Sequence, residues 1–130
     1  MTVSSAEQTA IQRVVQAYID GMRSNDADQV REAFHPDARM YGSIAGQRFD
    51  QPIKEFLALV SGQPPNVDGT YQARIVSIEQ AGDAAAAAVE ETSFWGTMSF
   101  TDFFTLSRFD DEWKIVSKTF AHTGGEAPAH

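Results

Sequence analysis

The chain has 130 residues, with ten lysines and arginines against eighteen aspartates and glutamates, a formal net charge of −8. That length suits one domain, the 42% hydrophobic content is that of a globular chain, and the acidic balance argues against nucleic acid as a partner. The absence of cysteine excludes disulfides, thiolate metal sites and a cysteine nucleophile.

The first segment, Met1-Thr2-Val3-Ser4-Ser5, lacks the basic and apolar regions of a signal peptide, and no apolar run is long enough to span a membrane. The expectation is a soluble, cytoplasmic protein. From residue 5 to 23, Ile11, Val14, Val15, Tyr18, Ile19 and Met22 recur at helical spacing and make one apolar stripe. Ser4 with Glu7, or Ser5 with Gln8, has the spacing of a capping box. Gly21 and Ser24-Asn25-Asp26 stop this helix and start a second. That one is lined by Val30, Ala33 and Phe34 and ended by Pro36. A third helix is predicted over 50–60, with Asp50 as N-cap, Pro52 in the first turn, and Ile53, Phe56, Leu57 and Val60 facing the core.

After Asn66 the period changes. Residues 71–79 are rich in β-branched and aromatic side chains, and 97–109 and 113–122 alternate between apolar and polar. The segment 83–95 begins with Ala84–Ala88, strong helix formers. It reads as a strand because Gly82-Asp83 makes a hairpin turn and Glu90–Trp95 is poor helix material. The prediction is a single α+β domain over 1–130, three N-terminal helices packed on a mainly antiparallel sheet. Its core spans 5–123, and 124–130 is a flexible tail.

In 97–109 one strand face carries Met98, Phe100, Asp102, Phe104 and Leu106, apolar except for a central carboxylate. A buried acid must be protonated, hydrogen-bonded or paired, which is how general acids and oxyanion donors are built; a purely structural acid satisfies the same pattern. Pairing Phe109 with Trp113 across a three-residue loop opposes Asp102 to Phe120, with Lys118 and His122 as diagonal neighbours. A two-residue loop would bring Thr119 and Ala121 there instead. In the first register His122 is a proton carrier and Lys118 a counter-charge; otherwise His122 is a half-solvated strand end. Tyr18 is either a hydroxyl donor or a core tyrosine. Trp95, Met98, Phe100 and Phe104 suit either a flat apolar ligand or plain core. His35 and Asp37 offer too few ligands for a metal, and 42–46 lacks a nucleophile elbow or phosphate loop.

The helix bearing Tyr18, the run Phe34-His35-Pro36-Asp37-Ala38 leading into a strand, Phe100-Thr101-Asp102-Phe103-Phe104-Thr105-Leu106 and Trp113-Lys114-Ile115-Val116-Ser117-Lys118-Thr119-Phe120 resemble the nuclear transport factor 2-like superfamily. Within it the chain resembles in particular the small bacterial proteins labelled "putative lumazine-binding". The resemblance covers about residues 5–123 and implies a cone-shaped fold, a curved sheet enclosing a pocket plugged by three helices. It also implies a homodimer through the outer sheet face. Compared with the ketosteroid isomerase branch, the oxyanion-hole tyrosine falls on Tyr18 and the protonated aspartic acid on Asp102. The general base falls on Gly42, which supplies no carboxylate. The implied function is a small-molecule binder whose Tyr18 and Asp102 donate to a carbonyl or enolate oxygen, with His122 nearby. If catalytic, it is a cofactor-free isomerase, cyclase or dehydratase; the rival is a non-catalytic ligand-storage or association module. The expected ligand-binding residues are Met40, Gly42, Phe56, Trp95, Met98, Phe100, Phe104, Lys118 and Phe120. No metal, cofactor, nucleic acid or membrane partner is expected.

Overall fold

The computed structural model describes residues 5–127. The elements are α1 (Ser5–Ser24), α2 (Ala27–Glu32), β1 (Phe34–Ile44), β2 (Gln47–Pro52), α3 (Ile53–Gly62), β3 (Gln72–Ala81), β4 (Ala84–Phe94), β5 (Met98–Phe109) and β6 (Glu112–Gly124). The strands form one open sheet in the order β2-β1-β6-β5-β4-β3, antiparallel except where β1 runs parallel to β6. The helices pack against this sheet, so the domain is α+β as expected. No described helix is long and apolar enough to cross a membrane.

The α1 stripe behaves as its spacing dictates. Ile11, Val15, Tyr18, Ile19 and Met22 are buried, and Val14 packs at the edge of the core. Glu7 fastens the helix to the sheet by accepting bonds from Arg108 Nη1 at 2.7 Å and Trp113 Nε1 at 3.0 Å. Of the candidate caps, Ser4 and the side chain of Ser5 lie outside the described part. Gly21 sits inside α1 rather than ending it; a Cβ there would lie 2.7 Å from Val30 Cγ2, so its absence lets α2 approach. The turn instead uses Asn25 in the left-handed region, and Asp26 caps α2 by accepting from the Gln29 amide at 3.1 Å.

Two helix boundaries differ from expectation. The second helix ends at Glu32, and Phe34 already belongs to β1, with Pro36 inside the strand. Proline is tolerated because the β1–β6 ladder is irregular between Phe34 and Arg39, and β2 pairs only from Arg39 onward. The third helix starts at Ile53, not Asp50. Asp50 lies in the β2 edge strand, where its carboxylate takes Arg39 Nη2 at 2.8 Å, and Pro52 stands at the N-cap position without a capping side chain. The hairpin β1–β2 therefore separates α3 from the other helices, and the sheet has six strands rather than the four foreseen.

The β5–β6 hairpin reaches the expected register by a different route. Its loop has two residues, Asp110 and Asp111, at φ of 48° and 67°, a turn type that suits the twist of flanking strands. Phe109 pairs with Glu112, which alone would expose the wrong face of β6. A bulge at Val116, between Leu106↔Ile115 and Thr105↔Ser117, then shifts the pairing by one residue. Asp102 consequently opposes Phe120, and Phe104 opposes Lys118.

Candidate functional site

The concave side of β4, β5 and β6 buries three charged-type residues: Glu91 at 2% exposure, Asp102 at 0% and Lys118 at 5%. Each occupies an inward position of its strand, Glu91 by the alternation Ala85, Ala87, Val89, Glu91. Two tyrosines, one from α1 and one from the segment before β3, reach them. Tyr18 Oη, from α1, lies 3.3 Å from Asp102 Oδ2 and 3.4 Å from both Glu91 carboxyl oxygens. Tyr71, just before β3, donates to Glu91 Oε2. Lys118 Nζ stands 3.3 Å from Asp102 Oδ1 and over the faces of Phe56 and Phe120, 4.6 and 4.9 Å from their centroids.

This cluster holds two carboxyl groups and one cation in a site shut off from bulk water. Two carboxylates cannot both ionise there at ordinary cost. Burial, followed by the neighbouring Asp102 charge, drives the Glu91 carboxyl well above the usual range, against the opposing pull of Lys118 and the Tyr71 hydroxyl. Burial and the neighbouring Asp102 thus favour the protonated form of Glu91. Burial first, and then the adjacent acids, also push both tyrosines well above 10, so they remain neutral donors.

A cavity of about 260 Å³ opens beside this cluster. Met40, Phe56, Trp95, Met98, Phe100 and Phe120 make apolar walls, and Glu91 and Lys118 supply the charged-type groups. A pocket of about 150 Å³ takes benzene, so this one suits a molecule of one or two rings. Tyr18 and Asp102 do not line the cavity; they stand one layer behind, gripping Glu91 and Lys118. Residues 126–127 lie across one side, where Thr97 Oγ1 donates to the Glu126 carbonyl oxygen at 2.6 Å and Ala127 joins the cavity wall.

Three of the expected residues sit elsewhere. Phe104 packs edge-on against Tyr18, with ring centroids 4.9 Å apart, and belongs to the core. His122 pairs with Phe100, packs against its ring at 5.4 Å, donates from Nε2 to the Gly125 carbonyl oxygen at 2.6 Å and borders, with Arg48, a groove that Asp102 does not line. Gly42 also borders that groove; a Cβ on it would lie 2.6 Å from the Phe120 ring, which fills the space a base there would need. Sequence reasoning missed Glu91 and Tyr71. The inward alternation of the Ala85–Glu91 run was the available signal for Glu91, and nothing local marked Tyr71. Among the described residues no cluster of three His, Cys, Asp or Glu side chains is placed to hold a metal ion.

A family model described as "Putative lumazine-binding" matches residues 6–121. Among solved structures, an NTF2-like protein of unknown function from Methylobacillus flagellatus KT is 30% identical, covering 95% of this chain and 97% of its own at a TM-score of 0.86. Another, from Shewanella baltica OS155, is 26% identical, covering 96% and 100% at a TM-score of 0.85. A curated protein named Aldolase FrzH, from Cladobotryum sp, is 25% identical over 118 residues, 91% of this chain and 93% of that protein.

Proposed function

The chain belongs to the "Putative lumazine-binding" family of the NTF2-like fold, and on that footing we propose that its cavity binds a small, largely apolar ring compound by a carbonyl oxygen. Membership in that family supports small-molecule binding. The observation that carries the finer reading is the pairing of a neutral carboxylic acid, Glu91, with an ammonium, Lys118, in an otherwise apolar wall. A protonated Glu91 has one hydrogen to donate and the Lys118 ammonium has three, and such donors in an apolar wall discriminate strongly for a ligand oxygen. Tyr18 and Asp102 act from behind, fixing these groups. The reaction class in keeping with donors beside a carboxylate is cofactor-free proton transfer: isomerisation, cyclisation or dehydration. The base cannot come from position 42, where Phe120 stands; protons enter and leave through the wall groups Glu91 and Lys118, with Asp102 behind them.

The test is a thermal-shift screen against lumazines, flavins, enones and aromatic polyketides at pH 6 and pH 8. The reading expects stabilisation of wild type and its loss in Glu91→Leu, each variant compared with its own ligand-free melting temperature. Ligand stabilisation that survives in Glu91→Leu contradicts it.

The outer face of the sheet supports a homodimer. Phe103 is 54% exposed at the centre of β5, between Ala88 of β4 and Thr119 of β6, small neighbours that leave its ring uncovered. Sedimentation of wild type as a dimer and of Phe103→Glu as a monomer is the expected result.

A further inference from the structure

Lys118 is the one cation among the buried charged-type residues of the described chain, and a hydrogen-bonding lysine is a costly way to place a positive charge in a cavity wall. Its grip on Asp102 is loose: 3.3 Å is long for an ammonium–carboxylate bond, which usually closes to about 2.8 Å. One of its three N–H bonds serves Asp102, leaving two for the ring faces of Phe56 and Phe120 and for the cavity. The ring walls and the neutral acid Glu91 complete its surroundings.

We propose that Lys118 is an imine-forming amine, and that the cavity takes aldehydes or ketones as covalent, reversible partners. This rests on the carbonyl-binding reading given above. In the first step Asp102 accepts one proton from the Lys118 ammonium, which leaves a neutral amine in the cavity wall. The freed amine lone pair attacks the carbonyl carbon, and the carbonyl π pair moves to oxygen. Glu91 protonates that oxygen, takes a proton back from the nitrogen of the carbinolamine, and delivers it to the departing water as the nitrogen pair forms the C=N bond. The nitrogen of the adduct retains one hydrogen as an iminium, and the proton held by Asp102 passes to Glu91, which restores both groups. The sum is ammonium plus carbonyl giving iminium plus water, with no oxidant and no net proton exchanged; addition of water reverses it. Asp102, freed again as a carboxylate, stays behind the iminium nitrogen as its counter-charge.

The chain contains only three lysines, Lys54, Lys114 and Lys118, so the step is directly readable. Benzaldehyde is added with sodium cyanoborohydride, which reduces an iminium to a stable benzyl-lysine, and the site is located by peptide mass spectrometry. Lys54 is exposed and Lys114 is partly buried, with its ammonium on the Glu32 carbonyl oxygen; they serve as internal references. Simple accessibility predicts that Lys118 reacts last. The proposal predicts that it reacts first, by about ten-fold, and that Asp102→Asn removes this preference while Lys54 reacts as before. Labelling of Lys118 no faster than Lys54 overturns it. Parallel calorimetry with 1-indanone separates the two readings: binding of that ketone without preferential labelling overturns the imine and leaves the carbonyl-binding function standing, whereas absence of both overturns both.

Discussion

Replacing Glu91 by glutamine isolates the proton that the buried acid holds. The amide copies the neutral carboxyl in shape and keeps a donor and an acceptor for Tyr18, Tyr71 and Asp102. Below the ordinary carboxylate value of 4.5 the two proteins should differ by no more than about 1 kcal/mol, the scale of one altered hydrogen bond. Above 4.5 the unfolded wild-type chain releases the Glu91 proton while the folded chain retains it. The folded state then binds more protons, so its stability falls as pH rises, by up to about 1.4 kcal/mol per pH unit for one proton. The loss continues until pH passes the raised value of the folded acid. The glutamine variant has no such proton and is spared. Urea titrations of both proteins between pH 4.5 and 7.5, followed by tryptophan fluorescence, should therefore show the variant overtaking wild type as pH rises. Taking the difference cancels the other acids. Stability curves that stay parallel across this range would refute a protonated Glu91.

Other consequences follow from the same geometry. Lys118→Met strands the fully buried Asp102 without its cation and should cost about 3–5 kcal/mol at neutral pH, measured by urea unfolding. Gly42→Ala drives a methyl into the Phe120 ring and should cost about 1–3 kcal/mol; the same change in a Phe120→Ala background should cost much less, which a double-mutant cycle reads directly. Asp111→Gly relieves a left-handed residue in the β5–β6 turn and should raise stability by about 0.5–1 kcal/mol without altering the cavity, as seen in the melting temperature.

Much of the architecture is legible because burial imposes periodicity. The α1 stripe and the alternation of β5 follow from one face meeting the core, and Asp102 stands out because it interrupts such a face. Where a segment's environment is decided by distant partners, the pattern misleads. Val30, Ala33 and Phe34 have helical spacing, yet Phe34 pairs with Ile115 of β6, and Asp50, an apt helix cap, is claimed by Arg39 across a hairpin. The β5–β6 register was reached through a wrong loop length, because a bulge at Val116 compensates for the shorter turn and no local residue announces it. Glu91 was obscured by the alanine run before it and by Glu90 beside it, one of which faces outward to Arg74 while the other is buried. Its partners, Tyr18 and Asp102, are remote in sequence, and only the fold brings the three together.

The central claim is that the cavity recognises a carbonyl oxygen through Glu91 and Lys118. Titration calorimetry with 1-indanone and with indane, which share a ring system and differ in that oxygen, tests it most directly. A hydrogen bond to such groups contributes about 1.5–3 kcal/mol, so the ketone should bind at least about ten-fold tighter than the hydrocarbon. Equal affinities, or tighter binding of indane, would contradict the account.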